Sequence, residues 1–383
     1  MRCRRHEHAA PGAAVLAGTL STAPQEDAMS THGNKRAGNA PGASRAPLWR
    51  RAARWSAIGL TFALSVLWCV RQWPGEAWWV GVVLVYAPQT IWAVPGVIVM
   101  LGALLARDVT SALCAVGSVL LVLFGFMGLQ WNPPAEASGG RVLTVATWNL
   151  HNDWRHAANA RAAIDTLGVD LALTQEAVDL RFLPHFTGFD CVRSHGQRIF
   201  VRHNSLSPQG QSDSAGSSST GLRIVADEPV HLCEEWRLAH QATLELAGRR
   251  IEVLDVHFVA GANLGERNRI AMRSPEYFRT TERYRRLQMQ QVTRWMQSRS
   301  GPWIVAGDFN TPPGARVWRQ LPAEARDVFA QRGNGFGYTY REGLPLWRID
   351  YIWVSPHFRV LDARMFRGDI SDHLGLWARL QLE

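Results

Sequence analysis

An acidic and an amide side chain follow an apolar run near residue 305, and their types and spacing suit the binding of a water molecule or a substrate. The segment PWIVAGDFNTPPG, residues 302–314, contains four consecutive apolar residues and then Gly307, Asp308 and Asn310. Glycine permits a sharp turn after a buried strand, and the two prolines that follow end the strand. An Asp and an Asn two residues apart on a rigid strand tip can hold one water molecule or one substrate oxygen between them.

Two other polar positions follow apolar runs in the same way. The run from Val142 to Ala146 predicts a buried strand that ends near Asn149, and the run 169–174 predicts a second strand followed by Glu176. A carboxylate directly after a buried strand suits a cleft better than a core. Taken alone, Glu176 is better explained as an ordinary acid at a strand end.

Three histidine and aspartate pairings complete the candidate set. In IEVLDVHF, residues 251–258, the strand alternation puts Asp255 and His257 on one face, either as a structural pair or as a catalytic one. Near the C-terminus, SDH contains His373 beside Asp372, and RIDYIWVS provides Asp350 on a neighbouring strand. An Asp next to a His fixes the imidazole tautomer and raises its basicity.

The elements that position these side chains alternate between strands and helices. Between the runs at 142–146 and 169–174, the segment 158–167 has helical spacing, and an arginine-rich helix over 282–297 precedes the run at 303–306. This order predicts an α/β domain over 141–383. The formal net charge of +9 is concentrated in residues 1–54, so it does not by itself indicate nucleic-acid binding by the domain.

Three apolar stretches, 55–70, 77–106 and 112–131, separate a basic tail from this domain. Each predicts one membrane crossing, the second as a tilted or kinked helix, while a cleaved signal followed by buried core helices is the alternative. The positive-inside rule keeps residues 1–54, predicted to be disordered, in the cytoplasm. Three crossings of the inner (plasma) membrane then make the domain extracytoplasmic, whereas an even number would make it cytoplasmic.

Linker composition and cysteine spacing add smaller expectations. Residues 132–140, NPPAEASGG, predict a linker, and 205–221 predict a flexible loop. The five cysteines lack zinc-site spacing, and Cys191 and Cys233 are able to pair only in an oxidising compartment. Met29 is an alternative start.

The motifs TWNLHN, LTQEA, AGDFN, RIDYI and SDH, in this order, resemble the endonuclease/exonuclease/phosphatase superfamily over essentially all of residues 141–383, as in a membrane-anchored bacterial-type member. The resemblance implies a four-layer α/β sandwich, two packed mixed β-sheets with helices outside, and hydrolysis of phosphate esters with Mg²⁺, or Mn²⁺ in its place. Asp255 departs from the pattern, since the superfamily commonly has Asn there.

The resemblance, combined with the chemistry of each residue type, implies a metal set and a catalytic set. The metal set consists of Glu176, Asn149 and Asp372, because Mg²⁺ prefers one or two carboxylates together with water and substrate oxygens. In the catalytic set, Asp308 orients or deprotonates the attacking water. The remaining members hold phosphoryl oxygens or orient a histidine that does so, and they are Asn310, His373, Asp350 and His257.

The substrate stays open at this point. A nuclease acting on DNA or RNA, a sphingomyelinase-like lipid phosphodiesterase and a phosphatase share this chemistry, so the partner is a lipid headgroup, a nucleic acid or a small phosphoester. The membrane segment adds the lipid bilayer as a partner. A catalytically inactive, membrane-tethered binding module with the same fold is the alternative from another class.

Overall fold

The computed structural model describes residues 47–73, 75–203, 221–233, 237–260, 275–344 and 346–383. Of the tail predicted for residues 1–54, residues 1–46 therefore lie outside the described part of the chain. Of the loop predicted for residues 205–221, only residue 221 is described.

The N-terminal part of the described chain is helical. Its elements are α1 (Leu48–Gln72), α2 (Trp79–Tyr86), α3 (Ala93–Ala106) and α4 (Val109–Leu120), the last continued by a π-helical segment at Leu121–Phe126. Two helices, Leu48–Gln72 and Val109–Phe126, are long and apolar enough to cross a membrane. A third crossing exists if the bent pair Val80–Tyr86 and Gln89–Leu105 is one span.

The bend between α2 and α3 is much sharper than a kink in one tilted helix, at 102°. Pro88 explains it, because the residue before a proline is pushed out of the helical region, and Ala87 is indeed extended. Gln89 is buried at the break, and its side-chain amide donates to the carbonyl oxygens of Leu84, Val85 and Ala87. These bonds satisfy backbone groups that the broken helix leaves open.

Helices α1, α3 and α4 run between the same two ends of a small bundle. At one end Arg54 Nε donates to Asp108 Oδ2 (3.0 Å), which joins the start of α1 to the turn between α3 and α4. At the other end Arg71 Nη1 donates to the carbonyl oxygen of Gly125 (2.7 Å), and the rings of Trp92 and Phe126 lie 5.1 Å apart. The three helices therefore run up, down and up.

The rest of the chain forms two six-stranded mixed sheets. In the first sheet the strand order is β10 (Arg326–Asp327), β12 (Asp350–Val354), β9 (Trp303–Asp308), β8 (Arg249–His257), β7 (Arg237–Leu246) and β6 (Arg223–Cys233). In the second it is β13 (Phe358–Phe366), β14 (Gly375–Leu382), β2 (Arg141–Asn149), β3 (Leu171–Gln175), β5 (Gln197–Arg202) and β4 (Phe189–Ser194). A two-stranded sheet of β1 (Gln130–Trp131) and β11 (Asn334–Gly335) joins the segment after the helices to the domain.

Helices cover the outer faces of both sheets. An apolar core, which includes Val145 and Ile304, lies between the sheets. A second core packs α6 (Pro275–Gln297) on the first sheet, and a third packs α5 (Ala157–Thr166) on the other. Helix α7 (Val328–Arg332) contributes to the core between the sheets. The arrangement agrees with the expected α/β sandwich.

The helical segment packs directly on this sandwich. Val85, in α2, is fully buried in the same apolar cluster as Leu254 of β8 and Met289 of α6. Glu76 accepts a hydrogen bond from the Arg316 backbone nitrogen (2.5 Å). Helix α2 therefore packs as a layer of the folded domain.

Candidate active site

All eight predicted site residues lie at one edge of the sandwich, two of them, Asn310 and Asp372, in loops and six on or beside central strands. In the parallel pairs β2–β3 and β8–β9 the strands end together, and β12 begins opposite the end of β9. Polar side chains at the ends of central strands therefore meet in one cleft. These six are Asn149, Glu176, His257, Asp308, Asp350 and His373.

A buried histidine between two aspartates forms the floor of the cleft. His373 Nδ1 lies 2.9 Å from Asp350 Oδ2, and its Nε2 lies 3.8 Å from Asp308 Oδ2. All three side chains are at most 6% exposed. The Thr339 hydroxyl accepts a hydrogen bond from the Asp350 backbone nitrogen (3.2 Å), which fixes the start of β12.

Burial and charge together raise the pKa values of two groups of this floor. Burial, together with the negative charge of Asp350, raises the pKa of Asp308 to about 7, although His373 opposes the shift. Burial alone would lower the pKa of His373, but the charge and hydrogen bond of Asp350 and the charge of Asp308 raise it to about 10. The imidazole therefore holds its proton at neutral pH, whereas Asp308 can take up or release one.

Asn149 connects the floor to the mouth of the cleft. Its Nδ2 donates to Asp308 Oδ2 (3.1 Å) and to Glu176 Oε1 (3.2 Å). Its Oδ1 accepts from the His151 backbone nitrogen (3.0 Å), and its carbonyl oxygen accepts from the Ser371 hydroxyl (2.6 Å). The amide is thus held rigidly between two carboxylates.

The mouth carries the more exposed acids. Glu176 has a positive φ of 51° and a side chain that is 33% exposed. His151 Nδ1 lies 3.8 Å from Glu176 Oε2 and 3.5 Å from Asp372 Oδ1, so Asp372 stands across this histidine from Glu176. His257 Nε2 is 3.7 Å from both Glu176 Oε1 and Asp308 Oδ2.

Asn310 braces the loop that carries Asp308. Its Nδ2 donates to the carbonyl oxygen of Phe258 (3.1 Å) and to Asp308 Oδ2 (3.2 Å), and its backbone nitrogen donates to Asp308 Oδ1 (2.8 Å). Its φ of 48° is in the left-handed region, where Asn is tolerated better than most residues. Asn310 therefore fixes the Asp308 carboxylate in this structure.

Asp255 lies behind the cleft, in the interface between the two sheets. Gln175 Nε2 donates to its Oδ1 (2.6 Å). Full burial raises the pKa of Asp255 well above the ordinary value, which favours the neutral form of the group. A neutral carboxyl group both donates and accepts, like the amide that the superfamily commonly has here.

Two groups of residues are possible metal ligands. Asp308, Asp350 and His373 each offer a ligand atom within 4.8 Å of the others. Other roles are predicted for these residues from the sequence: Asp308 as the base, His373 as a donor to the phosphoryl group and Asp350 as the group that orients this histidine. In the predicted metal set, Glu176 and Asp372 offer carboxylate oxygens at the mouth of the same cleft, whereas Asn149 turns its Nδ2 towards Glu176 and its Oδ1 towards the His151 backbone nitrogen.

Three residues of the site were missed by sequence reasoning. His151 and Ser371 stand inside the quoted motifs TWNLHN and SDH, so their proximity was a usable signal. Tyr340 gave no signal, because its ring reaches the site from a loop and lies 4.9 Å from the His373 ring.

The class of this protein is a two-sheet α/β sandwich with acids and histidines gathered at one edge. Residues 146–373 match the model of the Endonuclease/Exonuclease/phosphatase family, and the chain belongs to this family. The comparison with curated protein sequences gave no match.

Several solved structures are similar to the chain. Humanized D. rerio TDP2 is 15% identical, with a TM-score of 0.47, over 63% of this chain and 99% of that one. The Bacteroides thetaiotaomicron mannosyl-6-phosphatase Bt3783 is 17% identical (TM-score 0.46, 62% and 99%). The human Nocturnin catalytic domain with bound sulfate is 18% identical (TM-score 0.46, 63% and 94%).

Proposed function

We propose that this protein is a membrane-anchored hydrolase of phosphate esters that uses Mg²⁺ and cleaves phosphodiesters by in-line attack of water. The observation that carries the proposal is the buried His373, held by Asp350 and facing Asp308 at the end of a cleft. Family membership supports it, because members of the family are typically phosphoesterases.

In the proposed reaction the oxygen of water forms a bond to phosphorus, and the bond from phosphorus to the leaving oxygen breaks. Asp308 accepts the proton of the water, for which a pKa near 7 is suited. The leaving oxygen takes a proton from solvent. Protonated His373 donates to a phosphoryl oxygen as negative charge develops, and His257 and Asn310 make further contacts with the phosphoryl group.

The residues at the mouth fit a hard divalent cation. Glu176, Asn149 and Asp372 would hold Mg²⁺, and Mn²⁺ accepts the same oxygen donors. A bound Mg²⁺ supplies neutralisation of charge on the phosphoryl oxygens. We assign the metal to these residues and not to the floor, because Asp350 and His373 already satisfy each other at 2.9 Å.

The helical segment is proposed to cross the inner (plasma) membrane three times, through α1, α3 and α4. Arg54 to Arg71 covers about 26 Å of helix, close to the thickness of the hydrocarbon core. Exposed Trp55 and Trp73 stand near the two ends of α1, as expected for residues at membrane interfaces. With the basic tail in the cytoplasm, residues 141–383 are extracytoplasmic, joined to the 55–131 membrane region by the 132–140 linker.

The hydrolase proposal is tested with the full chain in detergent and bis-p-nitrophenyl phosphate as substrate. Asp308→Asn should lower kcat by about 10²- to 10³-fold with Mg²⁺ present. The control, Asp190→Asn, changes an exposed aspartate that pairs with His203, and it should retain wild-type activity. Chelation by EDTA should abolish turnover and added Mg²⁺ should restore it. Equal rates for Asp308→Asn and wild type would refute the proposal.

The orientation is tested with reporters fused after Glu383. Alkaline phosphatase, which is active only outside the cytoplasm, should be active in this fusion. A fluorescent protein that folds only in the cytoplasm should be dark. The reverse pattern would mean an even number of crossings and a cytoplasmic domain.

A further inference from the structure

The catalytic edge of the sandwich is the edge that packs on the membrane helices. Arg71, at the end of α1, donates to the carbonyl oxygen of Pro313 (2.7 Å), in the loop that follows β9. The Trp347 indole, in the segment that leads into β12, donates to the carbonyl oxygen of Tyr86 at the end of α2 (2.9 Å). Both loops carry site residues, so the cleft lies close to the level at which the membrane helices end.

Exposed apolar side chains of the domain are concentrated at the rim of this cleft. Large exposed apolar side chains among the described residues of 141–383 are Val178, Leu180, Val225, Leu287 and Leu344. Val178 and Leu180, at 60% and 54% exposure, lie in the segment directly after Glu176. Exposed apolar patches next to a site indicate contact with a partner or a membrane.

Leu344, at 67% exposure, lies in a second segment that is connected to the site. Its loop is tied to the site, since the Glu342 backbone nitrogen donates to the carbonyl oxygen of Asp372 (2.7 Å). The Tyr340 ring in the same loop lies 5.9 Å from the Trp347 ring. Exposed apolar side chains thus lie next to two acids of the mouth, Val178 and Leu180 after Glu176 and Leu344 in the loop bonded to Asp372, and we call these the two apolar lips.

We propose that the substrate is an amphiphilic phosphoester embedded in the bilayer, whose phosphate enters the cleft while the apolar lips contact its hydrocarbon part at the membrane surface. This inference rests on the proposed hydrolase function. A water-soluble polyanion would gain no stabilising contact from apolar lips, and the net charge of residues 141–383, 30 Arg against 26 acids or +4, is too small to attract one strongly. A lipid already lies at the level of the cleft and needs no diffusional encounter from solution.

The experiment compares two diesters that share one scissile bond. Hexadecyl p-nitrophenyl phosphate in phosphatidylcholine vesicles and ethyl p-nitrophenyl phosphate in solution release the same leaving group. The enzyme is the full chain reconstituted in these vesicles with Mg²⁺. We expect kcat/KM for the hexadecyl ester to exceed that for the ethyl ester by about tenfold or more, because the tail holds the ester at the rim.

The lips are tested separately from simple partitioning into lipid. In the double variant Val178→Asp/Leu344→Asp, charge replaces both lips, and the hexadecyl to ethyl ratio should fall about tenfold. The matched control, Val225→Asp, changes an exposed residue of β6 at the opposite edge of the sheet and should keep the wild-type ratio.

The outcomes separate a failure of the lipid-substrate inference from a failure of the proposed hydrolase function. If both esters are cleaved with equal kcat/KM, the lipid assignment is overturned while the hydrolase remains. If the double variant keeps the wild-type ratio, the lips do not contact the substrate and the inference fails. If neither ester, nor bis-p-nitrophenyl phosphate, is cleaved, the proposed function itself fails.

Discussion

Asp255 shows how a single buried carboxyl group makes the stability of the domain depend on pH. The side chain is fully buried, and the Gln175 amide donates to it from the other sheet. Burial raises its pKa in the folded chain, while in the unfolded chain it ionises near pH 4. The folded state therefore binds one more proton than the unfolded state between these two pKa values, and stability falls as pH rises through that window.

Asp255→Asn removes this titration while retaining a similar shape. Below pH 4 the variant and the wild type should unfold at similar urea concentrations. Above it the free energy of unfolding of the variant should exceed that of the wild type, by up to about 1.4 kcal/mol for each pH unit within the window. Urea unfolding at pH 5 and pH 8 measures the difference. A variant that is less stable than wild type at pH 8 would contradict a raised pKa of Asp255 in the folded chain.

Asp350 is the group that keeps His373 protonated. If its charge is removed in Asp350→Asn, burial opposes the imidazolium and the pKa of His373 should fall from about 10 towards the ordinary range near 6.5. NMR titration of the histidine ring protons in the metal-free protein measures this pKa. The exposed Asp190→Asn variant should leave the titration unchanged. A His373 pKa that stays near 10 in Asp350→Asn would show that another group holds the proton.

At the scale of elements, the contact between β8 and β9 sets the distance between two site residues, His257 and Asp308. Gly307, one residue before Asp308, has a φ of 144°, and a Cβ atom there would lie 1.9 Å from the carbonyl oxygen of Val256. Such an overlap forces the parallel strands apart. The glycine that the sequence suggested for a turn is required by the close approach of the two strands.

Gly307→Ala should therefore destabilise the domain by about 3 kcal/mol, through overlap and backbone strain. Gly301→Ala is the control, because a Cβ atom there meets no atom within 4 Å. The midpoint of thermal unfolding in detergent, followed by tryptophan fluorescence, should drop for the first variant only. Equal midpoints of unfolding for the two variants would mean that β8 and β9 can move apart without a loss of stability.

The strand ends were predictable from sequence, because a buried strand followed by a polar residue is a local pattern. The run from Val142 indeed belongs to a strand that ends at Asn149, and the run at 303 belongs to one that ends at Asp308. The sharp bend at Pro88 was less predictable, since a proline within an apolar stretch is compatible with both a kink and a break. Contacts such as that of Tyr340 with His373 join distant segments and leave no periodic signal.

At the scale of the whole molecule, a buried arginine joins the N-terminal helical bundle to the loop after β9. Arg71 is 3% exposed, and it donates to the carbonyl oxygens of Gly125 in the bundle and Pro313 in the loop after Asp308. The Trp318 indole fixes the same loop by donating to the carbonyl oxygen of Pro312 (2.9 Å). We therefore expect the bundle to position the site as well as to anchor it.

Arg71→Met keeps most of the apolar volume but removes the donors that hold Pro313. The loop should then shift relative to the rest of the cleft. Because a displacement of about 1 Å of a reacting group can cost about 10²-fold in rate, kcat should fall. We expect kcat on bis-p-nitrophenyl phosphate to fall about 10- to 100-fold with little change in KM. Arg51→Met makes the same chemical change at an exposed position of α1, at the other end of the bundle, and should retain wild-type kcat. If both variants turn over at the wild-type rate, the bundle serves only as an anchor.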